Sequence, residues 1–252
     1  NYFFYTVAYR MNKGAGDLSG INTLNKYMEA FGLNSPTGVE ISELYDSMSQ
    51  YPTHISSPEY KKYITQQRDA DAKESDYKWS AGDTIRTAIG QSYNNYTSAL
   101  MSKYVATLAN GGTRYSMHFL NKITNNDGKT EEEYQPKVES KIEIKKENLD
   151  AIFKGMFLVT TGPRGTLRNY FKDFPVDVAA KSGTAQQSSK RSEHTTFVAF
   201  APLEDPQISV CVIIPFGNGT TGPAPKVAKV AISEYLKLDY KPELKSYDTL
   251  LH

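Results

Sequence analysis

The chain has 252 residues, 39% hydrophobic and 23% charged, which is apolar enough for a real core and too charged for a membrane bundle. Its 29 Lys+Arg against 28 Asp+Glu leave a net charge of +1, which provides no basic surface for a phosphate backbone and disfavours nucleic-acid binding. The single cysteine, Cys211, rules out an internal disulfide framework, and no apolar run reaches the roughly 20 residues that span a bilayer.

The opening NYFFYTVAYR is rich in aromatics and has neither the basic flank nor the cleavage site of a signal peptide, so it reads as a fragment with any membrane anchor outside these residues. Leu24, Tyr27, Met28 and Phe31 recur at helical spacing with Gly32 behind them, which predicts an amphipathic helix closed by a glycine. From Asp46 to Lys78 the chain is polar and is expected to be a long surface loop. Leu100, Met101, Tyr104, Val105 and Leu108 mark a second helix, started near Thr97-Ser98, stopped by Gly111-Gly112 and buried on one face.

Residues 121–146 are polar again, and Asn126-Asp127-Gly128 suits a hairpin tip. Leu149, Ile152, Phe153, Met156 and Phe157 predict a third helix running into the punctuated loop 161–166. Three β-branched runs follow, at 176–183, 195–201 and 208–214, with connections too short for parallel crossovers, so antiparallel neighbours are expected. A closing helix carried by Ala228, Ala231, Ile232 and Tyr235 should cover that sheet. Helices first and a strand meander later give an α+β fold, with a mainly helical part at 1–160 and a sheet part at 161–252. There is no internal repeat or low-complexity tract.

The sharpest motif is Lys181-Ser182-Gly183-Thr184 at the end of an apolar strand. A cation, two hydroxyls and a residue without a side chain at a sheet edge can receive a carboxylate whose peptide lies alongside the strand. Lys181 supplies positive potential, Ser182 and Thr184 donate hydrogen bonds, and Gly183 lets a backbone approach as an added strand. On its own the tetrapeptide occurs often by chance and reads more readily as an ordinary strand end.

Its company changes the weighing. The stretches 82–91 (GDTIRTAIGQ), 104–115 (YVATLANGGTRY), 161–166 (TGPRGT), 179–186 (AAKSGTAQ) and 195–202 (TTFVAFAP) resemble the transpeptidase domain of penicillin-binding proteins, most nearly the class B, elongation-type members. NYFFYTVAYRM, FGLNSPTGVEIS and SPEYKK match in the same order, so the resemblance spans nearly the whole chain.

The resemblance implies the antiparallel sheet flanked by helices that these proteins share with serine beta-lactamases, here as an incomplete domain. It implies three site motifs: Ser-x-x-Lys with the nucleophile, Ser-x-Asn or Ser-x-Asp, and Lys-Thr/Ser-Gly. Asn1 aligns with the third residue of the second motif and faces the third across a bound stem peptide, which puts the nucleophile upstream of residue 1. By the same resemblance Lys181 and Thr184 belong to the catalytic group, and Ser182, Gly183, Thr184 and Gln186 hold substrate. The implied reaction is peptidoglycan D,D-transpeptidation through a serine acyl-enzyme, with stem peptides as substrates and beta-lactams acylating the same serine. Further expectations are a place on the extracytoplasmic side of a bacterial membrane, anchored by an N-terminal segment, and partners in the missing N-terminal part, a glycosyltransferase and the elongation or division machinery. The alternative is a non-catalytic beta-lactam sensor or scaffold of the same fold.

A decoy shares the order of the three motifs: Ser75-Asp-Tyr-Lys78, Ser92-Tyr-Asn94 and Lys181-Ser-Gly183. Ser75 lies in a polar stretch where a lysine keeps its hydration and is no base, and Ser92 stands where the family pattern has glycine. His54, His118, His194 and His252 are scattered without ligand spacing, so no metal or other cofactor is expected within the chain. The zinc ion that some elongation-type relatives hold would take its ligands from upstream residues. His194 is expected to be structural and Cys211 to be core.

Overall fold

The computed structural model describes residues 1–13, 16–41, 53–186, 191–217 and 222–240. It divides into two compact units, Asn1–Thr107 with Gly112–Glu143, and Leu108–Gly111 with Ile144–His252.

In the first unit α1 (Tyr2–Met11) packs on α2 (Ser19–Ala30) and on α5 (Ala81–Thr87). Gly20 makes this approach close, because a β-carbon there would come within 2.7 Å of Asn12 Oδ1. The expected glycine stop of α2 is present: Gly32 adopts φ 76°, its N–H reaches the Glu29 carbonyl and that of Leu33 reaches Met28. Left-handed glycine with crossed bonds is the Schellman ending, and Leu33 and Met28 supply its apolar contact. The same ending closes α6 (Ser98–Ala109), where Gly112 N–H bonds to the Thr107 carbonyl and Gly111 N–H to Leu108. Thr97 Oγ1 caps its start by accepting the Leu100 N–H at 3.2 Å.

The loop expected over 46–78 is corrected wherever it is described. Residues 46–52 lie outside the described residues, but α3 (Pro58–Arg68) and the short α4 (Glu74–Tyr77) occupy much of the rest. Ser57 caps α3 by accepting the Tyr60 N–H, Pro58 stands in its first turn and Arg68 in its last. Capping and one buried residue, Ile64, hold a helix that has little apolar periodicity. In the polar stretch 121–146 the hairpin expected at Asn126-Asp127-Gly128 is present between β2 (Lys122–Thr124) and β3 (Thr130–Glu133), with Gly128 at φ 78°. β1 (Thr113–Tyr115) pairs antiparallel with β4 (Val138–Lys141). Lys103, buried on α6, binds both carboxylate oxygens of Glu139 on β4 at 2.7 and 2.8 Å and the Thr37 carbonyl at 2.8 Å.

The second unit carries α7 (Lys146–Thr161), the short α8 (Arg168–Phe171) and an antiparallel sheet in the order β5 (Ala179–Ala185), β6 (His194–Ala201), β7 (Ile208–Ile214), followed by α9 (Ala224–Leu236). The expected meander is therefore present, and the unit boundary at Glu143/Ile144 groups α7 with the sheet. α9 lies against β6 and β7, and α7 lies against β5. Leu167, Phe171, Val178, Ala180, Phe197, Ala199, Ala228 and Ile232 form one core cluster. Ala228 and Ile232 face that core as expected, whereas Ala231 and Tyr235 are exposed. Small alanines on β5 and β6 let the helix sit close to the strands, and each large buried side chain contributes roughly 1.5–3 kcal/mol.

Candidate functional site

β5 holds Lys181, Ser182, Gly183 and Thr184 in its middle, and Gln186 follows its end, exposed. Among the described residues β5 pairs with no strand but β6, so its other edge is not covered by a strand. β6 fixes it residue by residue, Lys181 opposite Val198, Ser182 opposite Phe197, Gly183 opposite Thr196 and Thr184 opposite Thr195.

Residues opposite each other share a face of the sheet. Ser182 and Thr184 therefore lie on the face of Phe197 and the α9 core, while Lys181 and Gly183 lie on the other, where Phe200 meets Phe153 of α7. The lysine and the two hydroxyls lie on opposite faces of the strand. Ser182 is buried, and Thr184 is the hydroxyl with access to solvent. What the four residues share is the free backbone edge.

Lys181 extends an exposed stem, and its Nζ folds back to donate to the Ser182 carbonyl. Partial burial of that amine lowers the Lys181 pKa from the ordinary lysine value. Gly183 adopts no left-handed backbone, and a β-carbon on it would meet Thr196 only at 3.8 Å. Among the described residues no neighbour demands glycine at this position.

Asn1 is exposed at the N-cap position of α1, where its carbonyl accepts the Tyr5 N–H at 3.0 Å and its side chain makes no capping bond. That leaves the amide available for other work. The decoy serines do not offer a nucleophile. Ser75 is exposed and its Oγ donates to Asp76 at 3.2 Å, while Ser92 sits in a turn at φ 75°, the left-handed conformation that explains a glycine in the family pattern.

His54 bridges to Asn95 through two backbone bonds and lies on Tyr60, and His118 stacks on Tyr134. Nδ1 of His194 accepts the Phe216 N–H at 3.1 Å, a structural role, and His252 lies outside the described residues. Among the described residues no group of three or more His, Cys, Asp and Glu side chains is placed to hold a metal ion. Cys211 is partly buried, less than a core position would be, and burial pushes its thiol up to about 11. Sequence reasoning had not marked Arg191 and Phe216. The guanidinium of Arg191 lies 5.4 Å from the Phe216 ring centre, beyond the end of β5, and the only sequence signal was a bulky residue inside the glycine-flanked turn at 215–217.

A family model for the penicillin binding protein transpeptidase domain matches residues 1–232. The peptidoglycan D,D-transpeptidase MrdA of Escherichia coli K12 is 33% identical over 236 residues, covering 88% of this chain and 33% of that protein. The chain thus spans about a third of the length of the curated relatives it matches. Among solved structures, Pseudomonas aeruginosa PBP2 in complex with WCK 5153 has a TM-score of 0.68 at 29% identity, covering 97% of this chain and 48% of that one. The complex between PBP2 and MreC from Helicobacter pylori has a TM-score of 0.66 at 20% identity, covering 94% of this chain and 38% of that one, and shares the fold.

Proposed function

The chain belongs to the penicillin-binding-protein transpeptidase family, and from that premise we propose that it forms the substrate-holding part of a peptidoglycan D,D-transpeptidase. The observation that carries the reading is the free edge of β5 with Lys181, Gly183 and Thr184 along it. The C-terminal end of a stem peptide pairs with that edge as an added strand. Its terminal carboxylate lies toward the positive potential of Lys181 and the Thr184 hydroxyl, and Ser182 and Gln186 contribute main-chain and side-chain hydrogen bonds.

The nucleophile is the serine of a Ser-x-x-Lys pair outside residues 1–252. Its Oγ attacks the carbonyl of the penultimate D-Ala, and the negative charge that develops on oxygen meets the Thr184 backbone N–H, one of two dipoles set to receive it. D-Ala departs with a proton. An amine of a neighbouring stem peptide then takes the acyl group and returns a proton to the serine. Asn1, with its amide unused by the helix cap, keeps the role in the second motif that the family resemblance gives it. Lys181, with a pKa lowered by burial, is suited to assist proton transfer as well as to attract the carboxylate.

We extend the proposal to beta-lactams as acylating ligands and to an extracytoplasmic location. Elongation-machinery partners are included, in the manner of the Helicobacter pylori complex with MreC. No helix among the described residues is long and apolar enough to cross a membrane. The outward face of α1, with Tyr2 85%, Phe3 69% and Tyr9 67% exposed, is assigned to contact with other parts of the complete polypeptide.

The test is intact-mass analysis of the complete polypeptide after exposure to benzylpenicillin, with peptide mapping. One penicilloyl group on a Ser-x-x-Lys serine outside this chain is expected, and a group on Ser75 or Ser92 would contradict the reading. A chromogenic beta-lactam should acylate without sustained turnover, which separates the transpeptidase from a beta-lactamase.

A further inference from the structure

A cluster at the end of β5 is used neither by the core nor by the reaction as described. Ala185, the last residue of β5, pairs with His194 on β6. Because His194 Nδ1 accepts the Phe216 N–H, the ring carries its proton on Nε2. The two rings lie 4.8 Å apart, and the Arg191 guanidinium covers the Phe216 ring at 5.4 Å. Phe216 itself holds φ 56°, a conformation that disfavours any residue with a β-carbon, while 42% of it stays exposed. Folding gains little from a strained and exposed phenylalanine, and strain of this kind gathers where ligands are held. Among the described residues no carboxylate is ion-paired with Arg191.

The direction of an added strand carries a ligand toward the end of β5, beside this cluster. With the terminal carboxylate drawn toward Lys181 and the scissile carbonyl at the Thr184 N–H, the residues upstream of the scissile bond continue past Ala185. At about 3.3 Å per residue the next side branch is level with Ala185 and, across that small residue, with His194 on β6. We infer that Arg191, His194 and Phe216 form a specificity subsite for a carboxylate-bearing side branch of the donor peptide, upstream of its scissile bond. The inference rests on the reading of β5 as the substrate-receiving strand. The Phe216 ring, which follows β7, holds the guanidinium by cation–π attraction, the guanidinium offers a two-pronged donor to the carboxylate, and the Nε2–H of His194 adds a third.

The experiment compares second-order acylation of the complete polypeptide by benzylpenicillin and by carbenicillin, which differ by one carboxylate on the side-chain carbon. The carbenicillin-to-benzylpenicillin rate ratio should fall about tenfold in Arg191→Gln, the lower range for a lost hydrogen bond to a charged group. Arg191→Lys, which keeps the charge without the fork, should fall between. Phe216→Gly, which relieves the left-handed strain and removes the ring, should lower the same ratio in a protein that melts no earlier than the parent. An unchanged ratio in Arg191→Gln and Phe216→Gly, with acylation intact, overturns the subsite alone. Failure of both drugs to acylate the parent overturns the reading of β5 and the subsite with it.

Discussion

Gly183 stands opposite Thr196 across the β5–β6 ladder, and a β-carbon built on it would come no nearer than 3.8 Å to the Thr196 side chain. The position has room on its own chain and keeps glycine all the same. Gly183→Ala should therefore fold with a melting temperature at or slightly above the parent's, because alanine loses less backbone entropy than glycine. Acylation by benzylpenicillin should drop at least about tenfold, since the methyl takes space on the sheet face that a ligand seated along the edge also covers, and each tenfold is about 1.4 kcal/mol. Parent-like acylation of this variant would contradict pairing along the edge.

Ser92 illustrates how one departure from the family pattern is read in energy. It is held at φ 75°, and its Oγ is buried without a hydrogen-bond partner among the described residues. A left-handed residue with a β-carbon costs about 1–2 kcal/mol, and glycine gives back part of that in unfolded-state entropy. Ser92→Gly should raise the stability of the complete polypeptide by about 1 kcal/mol, read as a higher midpoint in urea, with acylation unchanged. A lower midpoint would mean that the serine hydroxyl has a role.

Asp83 makes the acid limb of stability predictable. Its carboxylate, capping α5, accepts from Lys61 Nζ at 2.9 Å, from the Ser80 N–H and hydroxyl at 2.8 and 2.7 Å, and from Arg86 at 2.6 Å. Burial is the largest single influence and pushes its pKa up, but the bonds from Lys61 and Ser80 together outweigh it, so the group ends below the ordinary value of 3.8. A depressed folded pKa contributes stability that is complete above the unfolded value and is lost as pH falls through the folded one. Asp83→Asn should cost about 3 kcal/mol or more at neutral pH, since it leaves Lys61 facing a neutral partner. Below about pH 4 the gap between variant and parent should close. A gap independent of pH would remove the carboxylate's charge from the account.

Much of the fold was legible in the sequence because apolar periodicity and glycine stops coincide, as at Phe31-Gly32 and Leu108 with Gly111-Gly112. The helices that escaped notice lack that coincidence. α1 is apolar nearly all round, so no face stands out, and only Ala8 among its residues is buried. α3 is polar, although Ser57-Pro58-Glu59 announces its start, and α5 is announced by the Ser80-x-x-Asp83 capping box. Both are helices by their caps rather than by periodicity. Of the candidate site, the place of Lys181–Thr184 on a strand was readable, and the alternation that separates Lys181 from Ser182 follows from the strand period alone. That β5 is an edge strand, and that Arg191 reaches Phe216, depends on contacts between segments no local pattern connects.

The central claim is that the β5 edge receives the substrate, with Lys181 and Thr184 dividing the work. The most direct measurement is the second-order rate of acylation by benzylpenicillin for the complete polypeptide and for Lys181→Ala and Thr184→Ala, with folding checked by thermal melting. Thr184→Ala keeps the backbone donor and loses one hydrogen bond to a charged group, worth roughly 1.5–3 kcal/mol, so its rate should fall about ten- to a hundredfold. Lys181→Ala should fall further, by about a hundredfold or more, in the range of a lost transition-state electrostatic partner. A well-folded Lys181→Ala protein that acylates at the parent's rate would contradict the account and leave these four residues as an ordinary strand.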